Sequence, residues 1–360
     1  MTFSAAIIGA SGSAGGEIAR YLAAHPQVEI TQVCAHSQAG SKLRELHPHL
    51  PAELDHVLAP IDPAVVADTD VIFVALPHGK SGELTNQLQQ LGSNALVIDV
   101  GADHRLTDPK AWEKYYGGTH PGAWVYGMPE LIHREESQAL IEAGGSARAE
   151  LSRQELRQAR TIAVPGCNVT AATLAIQPAI AAAAVDASKI TVTAAVGYSG
   201  AGKSVQPRLM AIQALSNLVP YSATGKHRHI PEIVQNLKVA GAGETNVSFT
   251  PILTPTSRGI LAVVNAPLNA ADKDLEAIYH ACYQNEPLIE VTDQLPQTQP
   301  VLGSARAQVW VGTDPQAQMV TAICAIDNLG KGTAAAAVQS MNLALGLPEL
   351  EGINQIGVAP

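Results

Sequence analysis

Aromatic side chains make up only 4% of this 360-residue chain and charged ones 15%. A core with so few rings has to be built from Ala, Val, Leu and Ile, the residues of helices and buried parallel strands. No apolar run reaches the roughly 18 to 20 residues that a membrane helix needs, and the Ala-rich stretch at Ala181 to Ala184 is bracketed by Gln177, Pro178 and Asp186. No membrane association is therefore expected. Cysteine is scarce: Cys34, Cys167, Cys282 and Cys324 are far apart and form no C-x-x-C pair, which argues against a disulfide framework and fits a reducing compartment. The start, MTFSAAIIGA, lacks basic residues and runs into glycines, so it reads as a strand and not as a signal peptide. A cytoplasmic location follows as the expectation. Basic residues are also in the minority, and the formal net charge of -10 disfavours nucleic acid or anionic membrane as a partner. A small anionic ligand held by a few local cations stays open.

Organisation follows from the periodicity of what is present. FSAAIIGA, a helical pattern in GGEIARYLAAHP, and EITQVCA form a βαβ unit, and DVIFVALPHG and ALVIDVGAD continue the alternation. The fold class expected is α/β, a Rossmann-type doubly wound parallel sheet. The polar stretch between His133 and Arg160 reads as a helical, solvated connection. Beyond it, strand-like runs such as KITVTAAVGYSG, GILAVVNAPL and QMVTAICAID dominate, which predicts a second α+β domain with a mixed or antiparallel sheet. The C-terminal GKGTAAAAVQSMNLALGL reads as one apolar helix suited to packing back on the first domain. Neither a repeat nor a low-complexity tract is present.

Two glycine-rich stretches compete for a nucleotide. GASGSAG, with Gly9, Gly12 and Gly15, follows a strand and opens a helix, the setting in which backbone amides and a helix N-terminus hold a pyrophosphate. Ser11, Ser13 and Ala14 of the same loop join these glycines as cofactor-binding candidates. No carboxylate stands at the end of the second strand, where VCAHSQAGSKLRE offers His36, Ser37, Lys42 and Arg44 instead; this favours NADP over NAD, with Ser37 as the candidate contact and Lys42 and Arg44 either near it or simply solvated. GYSGAGKS, Gly197 to Ser204, fits the pattern of an ATPase P-loop letter for letter. A P-loop ATPase is thus the reading from a different class, and a dinucleotide-sensing regulator is a third.

TIAVPGCNVTAATLAI is a strand, a turn and a helix whose first turn contains Cys167. A helix N-terminus stabilises a thiolate, and its amides stabilise the oxyanion formed when that thiolate attacks a carbonyl. The other cysteines sit in apolar runs and read as small hydrophobes. GKHRHIPE supplies His227 and His229, on one side of an extended segment, ahead of a helix with Pro231 at its start. Either histidine suits proton transfer near neutrality. A metal would need a third ligand at helpful spacing, and none is evident, so no metal site is expected.

PGCN around Cys167, SGAGK at Ser199 to Lys203, GKHRHIPE, YGMPEL, DVGADHRL and DNLGKGTAAAAVQSMN occur in order over nearly the whole chain. Together they resemble the N-acetyl-gamma-glutamyl-phosphate reductase family, a relative of the aspartate-semialdehyde dehydrogenases, which remain the alternative activity. The resemblance implies an NADP-binding domain over 1–165 and 328–360, and a catalytic and oligomerisation domain over 166–327, in a homo-oligomer, dimer or tetramer. It implies a small anionic acyl-phosphate substrate, Cys167 as nucleophile and His229, oriented by Glu232, or His227 as acid-base. Arg105, Ser199, Gly200, Gly202 and Lys203 are the substrate-binding candidates, and Gly200 and Asn328 are added to the cofactor set. Arg105 has a structural alternative, a salt bridge to Asp103 or Asp108. The chain departs from the family at Asn168 and His104, where an aromatic residue is usual.

Overall fold

The computed structural model describes residues 2–203, 209–269 and 273–358. They form two compact units, Met1–Gly127 with Glu155–Pro165 and Thr333–Asn354, and Met128–Gln154 with Gly166–Gly332 and Gln355–Pro360.

The first unit holds the expected doubly wound sheet. Its strands are β1 (Phe3–Ile8), β2 (Val28–Cys34), β3 (Val71–Val74), β4 (Leu96–Asp99), β5 (Val125–Tyr126) and β6 (Thr161–Ala163), in the order β2-β1-β3-β4-β6-β5 and all parallel. β3 and β4, VIFV and LVID, are buried at every position, as strands covered on both faces must be. The strand order reverses between β1 and β3, and ligands of such sheets bind outside the carboxyl ends at that point. The helix Ser13–Leu22 starts there. The C-terminal helix Ala335–Ala344, as its composition suggested, packs on Ser13–Leu22 and on β4.

The second unit is built on β7 (Ile190–Gly197), β8 (Val219–Pro220), β9 (Val247–Thr254), β10 (Ile260–Pro267), β11 (Ile289–Val291), β12 (Ala307–Asp314) and β13 (Met319–Ile326), ordered β11-β12-β13-β10-β7-β9-β8. The sheet is mixed: β7 with β9 and β11 with β12 are parallel, the other pairs antiparallel. Alternate residues of β10 are buried, and the helix Cys167–Ala181 packs on β10 and β13. That helix is buried from Asn168 to Ile180, which explains its lack of a polar face. Pro178 lies inside it and has no N–H to offer the carbonyl four residues back. The Tyr283 hydroxyl donates to that carbonyl, Leu174 O, at 2.7 Å.

The division differs from the expected boundaries at 128–154, 328–332 and 355–360, which belong to the second unit. The stretch read as a helical, solvated connection does carry helices, Arg134–Glu142 and Leu151–Gln158, but it is not merely solvated. Arg153, fully buried, bonds both oxygens of Glu286 at 2.9 and 2.5 Å and the carbonyls of Pro129 and Ala149. Gln177 bridges the same segment through the Ile132 N–H and the Glu130 carbonyl. A buried ion pair whose remaining donors meet carbonyls costs several kcal/mol to break, so these ties decide where the segment belongs.

Candidate active site

Cys167 is the first residue of the helix Cys167–Ala181, with Gly166 as an N-cap that has no side chain to offer. Its exposure is intermediate while the other three cysteines are buried. Burial pushes the Cys34 and Cys324 thiols up, and the Cys282 thiol up to about 12. Those three are inert at neutral pH. Cys167 alone combines access with a helix N-terminus, where amide N–H groups and the helix dipole favour an anion. Asn168 is buried just behind it, and its Oδ1 has no hydrogen-bond partner among the described residues.

The histidine segment is not extended. His229 has helical backbone angles and caps the helix Ile230–Val239, with Pro231 in its first turn. The His229 N–H donates to His227 Nδ1 at 3.1 Å, and the rings pack edge to face at 4.7 Å. The two side chains are thereby unequal. His227 lies against Phe249 and Tyr221, and burial, helped by the Arg228 charge, lowers it to about 4. It is neutral at working pH, its proton on Nε2 because Nδ1 accepts a bond. His229 reaches the nucleophile's turn: a Cβ placed on Gly166 would fall 2.6 Å from its Nε2. Glu232, fully buried, accepts the Gly166 N–H at 3.0 Å. The carboxylate expected to orient the histidine therefore grips the turn beneath Cys167.

The turn Gly330–Ala334 is a residue set that spacing alone did not single out. It is a π-helical turn, and a Cβ on Gly332 would stand 2.7 Å from Cys167 Cβ. Glycine is required there by the approach of the nucleophile. Lys331 Nζ meets Glu130 Oε1 at 2.6 Å with both side chains 1% exposed, tying this turn to YGMPEL. Asp327 anchors the other side, accepting the N–H groups of Gly303, Leu329 and Gly330 and pairing with Arg258. Asn328 holds the Gly259 N–H through Oδ1 and the Ser199 hydroxyl through Nδ2. Its amide, expected to meet the cofactor, is engaged in a clip between two loops.

GYSGAGK is the end of β7 followed by the 3-10 turn Tyr198–Ala201. Ser204 lies outside the described residues. The N–H groups of Gly197, Tyr198 and Ser199 donate to Gly259, Thr256 and Ser257, and that of Gly202 to Ser199. A P-loop needs such amides free to cradle phosphate, and these four are already engaged. Gly202 likewise gives no amide to a substrate in this arrangement, Gly200 packs near Val196 and Asn328, and Lys203 is exposed.

In the first unit the dinucleotide loop passes a geometric test. Gly9 has φ +86°, and a side chain there would strike the Ala75 carbonyl at the end of β3; one on Gly15 would strike Gly9 and Ala10. Gly12, the N-cap, carries no side-chain cap, and Ser11, Ser13 and Ala14 are partly exposed around it. A close-packed loop with an open helix N-terminus fits a pyrophosphate. Ser37 is exposed just beyond β2. Lys42 pairs with Asp55 at 3.1 Å and Arg44 Nε donates to Leu50 O, so both have structural partners. Arg105, 8% exposed, donates to the carbonyls of Val164 and Val100 at 2.7 and 2.9 Å. Asp103 accepts from Gly79 and Gly82, and Asp108 caps the helix Pro109–Tyr115. His104 stacks on Trp124 at 3.7 Å, supplying a flat face where the family has an aromatic ring.

Known proteins sharpen this arrangement. Residues 4–139 match the family model "Semialdehyde dehydrogenase, NAD binding domain" and 167–328 match "Semialdehyde dehydrogenase, dimerisation domain". Curated relatives named N-acetyl-gamma-glutamyl-phosphate reductase include those of Mycobacterium avium, 47% identical over 362 residues, and Acidothermus cellulolyticus, 45% over 359, each alignment covering 99% of this chain and 98% of the relative. That of Saccharopolyspora erythraea is 45% identical, with both chains covered in full. The chain belongs to the N-acetyl-gamma-glutamyl-phosphate reductase family. Among solved structures, Vibrio cholerae aspartate semialdehyde dehydrogenase II complexed with ASA aligns with a TM-score of 0.65 at 17% identity, covering 96% of this chain and 99% of that one. The Candida albicans enzyme with NADP aligns at 0.62 and 17%, covering 95% and 98%. The reductase family thus shares its fold with the semialdehyde dehydrogenases. Among the described residues no helix is long and apolar enough to cross a membrane.

Proposed function

We propose that this member of the reductase family converts N-acetyl-L-glutamyl 5-phosphate to N-acetyl-L-glutamate 5-semialdehyde and phosphate with NADPH, a step of arginine biosynthesis. The observation that carries the residue roles is the His229 imidazole lying against Gly166, one residue before a half-buried Cys167 at a helix N-terminus. Full-length identity near 45% to enzymes of that name favours this substrate over aspartate semialdehyde.

The Cys167 thiolate attacks the acyl carbon; a C–S bond forms, the C–O bond to phosphate breaks and phosphate leaves, giving a thioester. First-turn amides of Cys167–Ala181 hold the oxyanion, worth about 3 to 4 kcal/mol where single donors have been removed from such sites. Gly9, Gly12 and Gly15, with Ser11, Ser13, Ala14 and Ser37 around them, would hold NADPH, which when bound would supply the hydride that takes the acyl group to the aldehyde level. His229 then accepts the hydroxyl proton of the thiohemiacetal as the C–S bond breaks, and returns it to the departing sulfur. His227, neutral and fixed, positions His229 through its backbone. Lys203 is assigned to the substrate phosphate, alongside Ser199 and Gly200. Arg105 is assigned to holding backbone, given its carbonyl partners. The match to a dimerisation domain supports a homo-oligomer, dimer or tetramer, and four free cysteines suit a reducing cytoplasm.

The test runs the reaction in reverse, following NADP reduction with N-acetylglutamate semialdehyde plus phosphate against aspartate semialdehyde plus phosphate. Preference for the acetylated substrate, and loss of turnover in Cys167→Ser with NADPH affinity kept, are expected. Preference for aspartate semialdehyde would replace the substrate, and Cys167→Ser activity within about tenfold of the parent would remove the covalent route.

A further inference from the structure

The helix Leu275–Tyr283 carries Glu276 and His280 one turn apart, on the same face. Asp293 comes to that face from the turn just after β11, whose Thr292 N–H is fixed to Val309 O of β12. The carboxylate oxygens and an imidazole nitrogen of the three residues lie within 4.8 Å of one another. They line a cavity of about 190 Å³ walled by Trp310 and Thr292. The Trp310 indole lies across Gly312, where a Cβ would stand 2.8 Å from Cζ2. Among the described residues none of the three side chains has a hydrogen bond or ion pair. Two carboxylates facing one hollow repel each other, and an imidazole nitrogen beside them offers a further donor atom for a cation.

We propose that Glu276, His280 and Asp293 form a binding site for a divalent transition-metal ion of the zinc class, with an open coordination position facing the cavity. One imidazole nitrogen and two carboxylate oxygens are donors that suit Zn²⁺, Co²⁺ or Ni²⁺ better than Ca²⁺ or Mg²⁺. Bond lengths of about 2.0 to 2.2 Å in a tetrahedral site put ligand atoms about 3.4 Å apart. The present spread closes to that by rotation of Glu276 and Asp293, both exposed. Three protein ligands leave a fourth position, and the cavity has room for water or a small anion there. The ion would tie the helix to the β11 turn in the part of the chain that matches the dimerisation domain. Asp293 is brought to the helix face by the turn after β11, so the site joins residues that are distant in sequence.

Metal-stripped full-length protein, with Cys167 alkylated so that no thiolate competes, is titrated with Zn²⁺ by calorimetry and with Co²⁺ by visible absorption. One equivalent per chain, a cobalt d–d band and a raised Tm are expected. His280→Ala and Asp293→Asn should each weaken binding by at least about tenfold, the loss that even outer-shell changes produce, while NADPH-dependent turnover of the unalkylated variants stays at the parent level. No stoichiometric binding, or binding untouched by both substitutions, overturns the proposal. Both variants alter exposed or half-buried side chains, and circular dichroism confirms that each is folded before it is scored.

Discussion

Replacing Gly332 with alanine inserts one methyl group against the nucleophile. The new carbon would stand 2.7 Å from Cys167 Cβ, 3.2 Å from its Cα and 3.3 Å from Ile326 Cδ1. Carbon atoms rest at about 3.5 to 4.0 Å, so the two residues must separate by about 1 Å. The glycine side does not yield easily. Lys331 is locked to Glu130 in a buried pair, the Gly332 N–H donates to the Asp327 carbonyl at 3.0 Å, and the Asp327 side chain is held by Arg258 and three amides. Movement therefore falls on Cys167 and the helix start. A displacement of about 1 Å costs on the order of a hundredfold in rate, or about 2.7 kcal/mol of transition-state stabilisation. The stability cost of overpacking is about 1 to 3 kcal/mol, which leaves a folded protein to measure. Steady-state kcat and the rate of Cys167 alkylation by iodoacetamide should both fall, with NADPH affinity unchanged because the dinucleotide loop belongs to the other unit. A variant with kcat within about threefold of the parent and normal alkylation would refute the claim that Gly332 sets the position of the sulfur.

Lys331→Met leaves Glu130 buried without its cation and should cost about 3 to 5 kcal/mol, read as a fall in urea midpoint, with much of the loss restored in Lys331→Met/Glu130→Leu. A single variant that loses nothing would show that the pair contributes no stability. His229→Asn should lower kcat by about 10² to 10⁴ with little change in Tm, whereas His227→Phe acts through the position of His229 and should lose less; equal losses would return the acid-base assignment to an open choice. His227 is lowered from 6.5 to about 4, so the unfolded chain binds its proton more readily, and stability falls as pH drops from about 6.5 towards 4. Melts of His227→Phe should show a shallower acid limb, and an unchanged limb would place His227 outside the groups that set it.

Local rules determined a good part of this protein. Continuous apolar runs such as VIFV and ALVI dictate strands buried on both faces, and glycines between a strand and a helix dictate a phosphate-holding loop. A cysteine after Pro-Gly at the start of an apolar helix is a nucleophile candidate from its place in the chain alone, because capping and dipole effects act within one turn. The partners of each polar group were decided only by tertiary structure. Glu232 reaches the Gly166 amide and not simply its histidine neighbour. Asn328, read as a cofactor contact, clips Ser199 to Gly259, and Arg105 serves the carbonyls of Val164 and Val100. The polar stretch before Arg160 joins the second unit through Arg153 and Glu286, and Gly332 is a glycine because Cys167 faces it. A donor's availability depends on which distant carbonyls and carboxylates the sheets carry to it. Burial makes leaving one unpaired cost about 1 to 3 kcal/mol, so the fold assigns these partners and periodicity does not.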